Sequence, residues 1–181
     1  MNKALLIVDV QNDYFPGGCF ELYNSVQALE NVKKLLKYFR ENNLLIYFVQ
    51  HFSVNDIPFF IPNTNGVEIH PEIKPLDSEK IIKKNTPNSF HNTTLKKELD
   101  LNNVTDLVIC GMMTHICVDA TVKSAKDFGY NVTLVSDACT TRDIEWNGER
   151  IPANVVQNVY MSSLDGTFAN VLTSEEYFKE I

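Results

Sequence analysis

Three residues of complementary chemistry, Asp9, Lys84 and Cys117, each lie at or just past the end of a short apolar run of the kind that builds a buried strand. A thiol near neutral pH is mostly protonated, so a nucleophilic cysteine needs a base to take its proton or a cation to hold the thiolate. Asp9 could accept that proton and later return it to a leaving amine. Lys84 could stabilise the thiolate and hold the carboxylate in place. Attack on a carbonyl also needs donors for the developing oxyanion. A helix starting near Thr114 or His115 leaves backbone N–H groups unpaired around Thr114 to Cys117. These parts suggest acyl transfer through a thioester on Cys117, completed by water. Taken singly, Cys117 also reads as a small buried residue in a first helical turn, and Asp9 as a satisfied turn acceptor.

The elements that must position these residues follow from periodicity. Ala4–Val10 reads as a first buried strand ending at Asp9, followed by a loop over 11–18 in which Tyr14 and Phe15 can wall a pocket. Ser25 is the expected N-cap of a helix to about Glu41, and Leu44–Val49 the second strand, with Gln50 and His51 at its carboxyl end. Regular patterns then stop from Phe52 to Glu79, which marks a lid, a binding loop or unseen short elements. Ile81 and Ile82 suggest a strand ended by Lys84, and Thr93 or Thr94 a helix to Leu99. Leu107–Cys110 is the central buried strand, and Val118, Val122 and Ala125 trace the next helix to a stop at Gly129. Asn131–Ser136 reads as a fifth strand, 139–149 as a loop, and Pro152 as the first turn of a helix to about Leu164. Phe168–Leu172 is a short sixth strand, and Ser174 the cap of a terminal helix. Alternating strands and helices imply a three-layer αβα, doubly wound domain over residues 1–181, with a mostly parallel sheet of about six strands. One sheet would then bring Asp9, Lys84 and Cys117 to the same edge.

Composition narrows the partners. A net charge of −7 without a long basic cluster argues against nucleic acid and anionic membranes, and no stretch approaches a membrane span. Cys19, Cys110, Cys117 and Cys139 lack CxxC spacing, which fits reduced thiols in a cytoplasm. Cys110 reads as core, Cys19 as a loop residue and Cys139 as a second thiol near the sheet edge. His115 points to a different helix face from Cys117, and Asp137 reads as a structural cap.

With LLIVDVQNDYF at 5–15, Lys84 followed by PNSF at 87–90, CGMMTHICVDAT at 110–121 and VSDACTT at 135–141, the chain resembles the isochorismatase-like cysteine hydrolases. That superfamily includes nicotinamidases and N-carbamoylsarcosine amidase. The resemblance covers nearly the whole chain. It implies a catalytic triad of Asp9, Lys84 and Cys117, oxyanion donors from the backbone of Thr114 and Cys117, and a cis peptide between Met113 and Thr114. It also implies a homo-oligomer, dimer or tetramer, with neighbouring subunits helping to wall the pocket. Gln11, Phe15, His51, Phe90 and Met113 are the expected pocket residues for a small-molecule substrate.

Where the nicotinamidase branch resembles D-x-H-x-x-H, this chain has Val49, Gln50, His51 and Val54, so neither zinc nor another cofactor is expected. Retention of Cys117 favours C–N hydrolysis over the acid-catalysed vinyl-ether cleavage of an isochorismate pyruvate-hydrolase. A catalytically silent oligomeric binding protein of the same fold would keep the sheet with an unreactive Cys117. A dinucleotide-binding module would need a glycine-rich phosphate loop after the first strand, and residues 9–16 offer none.

Overall fold

A computed structural model describes residues 2–54 and 57–181. Six parallel strands form one sheet in the order β3-β2-β1-β4-β5-β8. The central pair, β1 (Lys3–Val8) and β4 (Asp106–Met112), consists almost wholly of buried apolar residues, as a strand covered on both faces must. From β1 the chain winds outward to β2 (Leu45–His51) and β3 (Lys80–Lys84), and after α2 (Leu95–Leu101) it returns to β4. It then winds the other way to β5 (Asn131–Thr140) and β8 (Asn170–Leu172). Right-handed crossovers in opposite directions place α1 (Ser25–Glu41) and α3 (Asp119–Asp127) on opposite faces. α1 shares its face with α5 (Ser174–Lys179), and α3 shares its face with α4 (Ala153–Leu164), which gives three layers.

Two backbone features bring the strand ends together. Gly111 stands opposite Val8 with φ +128°, and a Cβ there would lie 2.0 Å from the Val8 carbonyl oxygen. Only glycine permits β1 and β4 to approach that closely at their carboxyl ends. Asp9, the next residue, turns into the left-handed region at φ +51° while its N–H donates to Val49 O at 3.1 Å. An aspartate tolerates that conformation better than most residues, and it leaves the carboxylate at the top of the sheet.

Several boundaries differ from the sequence reading. His51 lies inside β2 rather than beyond it, directly across from Lys84 in β3. Asn24, not Ser25, precedes α1, and Thr173, not Ser174, caps α5 through a reciprocal pair with Glu176. The fifth strand continues to Thr140 through a bulge: β5 advances from Leu134 to Cys139 while β4 advances only from Ile109 to Gly111. Its extra residues are tied down, since Asn31 donates to Asp137 O and the Ser174 N–H and hydroxyl donate to the Asp137 carboxylate. The structural reading of Asp137 holds. Within the expected 139–149 loop, β6 (Ile144–Trp146) and β7 (Glu149–Ile151) form a hairpin around Asn147-Gly148, both at positive φ. The 52–79 stretch contains one-turn 3₁₀ helices at Asn65–Val67 and Pro71–Ile73. Among the described residues, no helix is long and apolar enough to cross a membrane.

Candidate active site

Four neighbouring strands each deliver one polar side chain to the same edge: Lys84 from β3, His51 from β2, Asp9 after β1 and Cys117 after β4. They are 4%, 8%, 0% and 5% exposed, so water is largely excluded. Lys84 Nζ lies 2.7 Å from Asp9 Oδ2, 2.8 Å from His51 Nδ1, 3.0 Å from Thr86 O and 3.3 Å from Cys117 Sγ. An ammonium has three protons for these four acceptors. The Asp9 carboxylate, paired with Lys84 at the shortest of these contacts, offers more lone pairs than one ammonium proton fills. It therefore has free acceptor capacity beside the thiol.

The electrostatics follow from burial. Desolvation pushes the Cys117 thiol well up, the Asp9 carboxylate pushes it further, and Lys84 offsets only part of this. The resting sulfur is a thiol, not a thiolate. Burial works against the Lys84 charge, yet the Asp9 carboxylate above all offsets it, and the ammonium's pKa is raised. His51 is pulled down to about 4, first by burial and then by Lys84, and stays neutral near pH 7.

Cys117 sits in a π-helical turn, Thr114–Val118, that joins β4 to α3. Met113 O accepts from the N–H groups of Ile116 and Val118. The sulfur thus stands in the first turn of the helical segment, where N–H groups outnumber their intrahelical partners. The Thr114 hydroxyl is held by Thr140 O at 3.1 Å and by Gln157 Oε1 at 2.7 Å. Gln157 is itself fixed through its donation to Ser136 O.

The cis peptide expected at Met113–Thr114 instead joins Met112 to Met113. β4 ends at Met112, and Met113 already precedes the helical turn with extended φ and ψ, so the reversal falls one residue earlier. Met113 is buried where it enters this turn.

The other expected pocket residues take the following places. Phe90 packs on Phe128 and Tyr130, at the far end of α3 from Cys117. The segment before it runs beside α3, held by the hydrogen bond between Ser89 and Thr121 and by Asn88 to Ser124. Phe15 turns onto His70, 4.3 Å between ring centroids. There, Lys33 of α1 pairs with Glu72. Gln11 has spent its amide: Nε2 donates to the carbonyls of His51 and Val67, and Oε1 accepts the His51 N–H. It fixes the end of β2.

An aromatic wall beside His51 is built by Tyr14, which the sequence offers for that role, and by Phe59 and Phe60. Tyr14 is buried, with its ring 4.5 Å from Phe60 and 5.7 Å from Phe59, and Phe60 reaches within 5.9 Å of the His51 ring. Burial, with Cys117 and Asp9 nearby, keeps the Tyr14 phenol neutral. Phe60 is held at φ +56° by donation of its N–H to Asp13 Oδ2 at 2.6 Å. Asp13 also accepts from the Cys19 N–H and thiol, and a Cβ on Gly66 would lie 2.1 Å from its carboxylate. One buried carboxylate thus ties three loops into the wall. His115 hydrogen bonds Thr141 through Nδ1, as its different helix face suggests. Cys110 is fully buried, Cys139 is held up at about 12 chiefly by burial, and Cys19 is exposed.

The donor atoms of Asp9, His51 and Cys117 lie within 4.8 Å of one another, a spacing that a metal ion could bridge. Lys84 Nζ already stands among these three, so an ammonium supplies the positive charge there.

A doubly wound parallel sheet carrying a buried cysteine, lysine and aspartate at its carboxyl edge has the groups that nucleophilic chemistry needs. An isochorismatase domain model matches residues 3–176, and the chain belongs to the isochorismatase family of hydrolases. It is 45% identical over 180 residues to the uncharacterized isochorismatase family protein YddQ of Bacillus subtilis, covering 99% of this chain and 100% of that one. The crystal structure of an isochorismatase from Pseudomonas putida superposes with a TM-score of 0.91 at 34% identity, covering 96% of this chain and 89% of that one. A streptothricin hydrolase of Streptomyces noursei is 33% identical over 144 residues, 78% of this chain and 51% of that protein.

Proposed function

We propose that this protein is a metal-independent cysteine amidohydrolase that cleaves a C–N bond of a small amide or carbamoyl compound. The observation that carries this reading is the meeting of Asp9, Lys84 and Cys117 in a closed site. Because the resting sulfur is protonated, Asp9 takes the thiol proton as sulfur attacks the carbonyl carbon. The carbonyl π pair moves to oxygen, and the backbone N–H groups of Cys117 and Thr114 receive it. Lys84 keeps Asp9 in place and holds the sulfur as charge develops. When the intermediate collapses the C–N bond breaks, Asp9 delivers its proton to the leaving nitrogen, and a thioester remains. Water then attacks, Asp9 accepts its proton, and the expelled sulfur recovers that proton as the acid leaves.

The reading extends to one domain over residues 1–181 acting in the cytoplasm on a small molecule, without nucleic acid, membrane or cofactor, as a homo-oligomer. Support for oligomerisation comes from exposed apolar side chains on the hairpin and α4: Trp146 at 72%, Val159 at 59% and Val155 at 43%. The test is ammonia release across amides, ureas and carbamoyl compounds, with Cys117→Ala as control. Turnover that survives Cys117→Ala overturns the thioester route and points to acid cleavage by Asp9.

A further inference from the structure

His51 has two ring nitrogens in different surroundings. Nδ1 faces Lys84 Nζ at 2.8 Å, and an ammonium can only donate, so Nδ1 is an acceptor and carries no proton. In a neutral imidazole the proton must then sit on Nε2. The ring stays neutral because burial and the adjacent ammonium disfavour its charged form more than Asp9 favours it. The backbone of His51 is clamped on both sides by the Gln11 amide, which fixes where the ring can point. Among the described residues Nε2 has no hydrogen-bond partner, and it is not among the fully enclosed unpaired atoms, although the residue is only 8% exposed. A buried donor left open in this way needs an acceptor from outside the chain.

We propose that His51 is a substrate-binding residue: its Nε2–H, set by the Nδ1 contact with Lys84, takes an oxygen of the substrate other than the carbonyl oxygen under attack. One ring nitrogen of His51 and the Cys117 sulfur lie within 4.8 Å of each other, Nε2 lies at most one ring width further, and the attacked carbon sits about 3–3.5 Å from the sulfur. The second oxygen therefore belongs on the atom next to the reacting carbonyl or one atom further. The substrate class is a small amide with an adjacent oxygen acceptor, such as an α-hydroxy, α-oxo or α-carboxy amide. Because Lys84 fixes the tautomer, the residue that supports Asp9 and Cys117 also sets this specificity. The substrate half of the inference rests on the amidohydrolase reading, and the tautomer half does not.

The experiment is nitrogen-15 NMR of histidine-labelled protein, with the His51 signals assigned through His51→Gln. At pH 7 the wild-type protein shows His51 protonated on Nε2 and bare on Nδ1; a proton on Nδ1, or an imidazolium, overturns the assignment. Cys117→Ala protein is then titrated with oxamate, with glycolamide and with propionamide, the last lacking a second oxygen. At least one of the first two moves the Nε2 resonance and propionamide does not. Movement by all three, or by neither oxygen-bearing amide, overturns the substrate class. His51→Leu weakens binding of the responding amide about tenfold, the worth of one hydrogen bond, whereas His51→Gln, which keeps an acceptor and a donor, restores most of it. Equal loss in both variants assigns His51 a packing role and refutes the proposal. Failure of the wild-type enzyme to release ammonia from any amide would sink the amidohydrolase reading, while the NMR result would still judge the tautomer.

Discussion

Replacing Lys84 with methionine removes the charge that balances Asp9 and leaves the rest of the pocket nearly the same size. Asp9 is fully buried, and Lys84 is its one salt-bridge partner among the described residues. His51 Nδ1 and Thr86 O lose a donor in the same step. Breaking one side of a buried ion pair costs about 3–5 kcal/mol, and that is the expected loss for Lys84→Met at pH 7. Asp9→Asn on the Lys84→Met background removes the uncompensated charge and should recover about 2 kcal/mol or more at pH 7. Urea denaturation at pH 7 measures all three proteins. A Lys84→Met deficit below about 1 kcal/mol, as for an exposed pair, or a double variant no more stable than the single one, would refute the buried-pair reasoning.

Asp9→Asn alone should have opposed effects: turnover falls about 10²–10⁴-fold with the loss of its acid-base group, while Cys117 alkylates faster because a carboxylate no longer holds its pKa up. Iodoacetamide labelling followed by mass spectrometry reads the second effect, and slower labelling than wild type would contradict it. Acid should weaken the fold through His51, whose pKa drops from 6.5 when unfolded to about 4 when folded; stability present above 6.5 is lost as pH falls toward 4, by about 3 kcal/mol over the window. His51→Gln should flatten that dependence in thermal melts recorded from pH 7 to 4. Gly111→Ala, which drives a Cβ into Val8 O, should cost more than about 4 kcal/mol and show as lost soluble yield or a collapsed melting temperature. Sedimentation should show an assembly larger than a monomer, and Trp146→Glu with Val159→Glu should shift it toward the monomer if the exposed hairpin and α4 face form the interface.

The order of strands and helices was legible because buried parallel strands announce themselves as unbroken apolar runs. Ala4–Val8 and Leu107–Cys110 need no tertiary context to be recognised. The convergence of Asp9, Lys84 and Cys117 follows once those runs are placed in one sheet. What the sequence hid depends on the direction of single side chains. Tyr14 and Phe15 are adjacent and both aromatic, yet one turns toward Phe60 and the other toward His70, and no periodicity governs a loop. The course of the segment before Phe90 along α3 is set by Ser89 and Thr121, 32 positions apart, which no local pattern announces. Asp13, in the 11–18 loop, anchors backbone 47 residues away, a partnership no local pattern reveals. The β6–β7 hairpin was within reach: Asn147-Gly148 between short extended segments is a recognisable turn signal. The bulge in β5 was not, since its extra residues are held by Asn31, Gln157 and Ser174 from three different helices.

Intact-mass spectrometry of enzyme quenched during turnover of a hydrolysed amide reads the sulfur directly. A mass gain equal to the acyl group, mapped to Cys117 and decaying as the acid appears, is the expected result. Steady turnover with unmodified Cys117, or undiminished turnover by Cys117→Ala, would contradict covalent hydrolysis at this site.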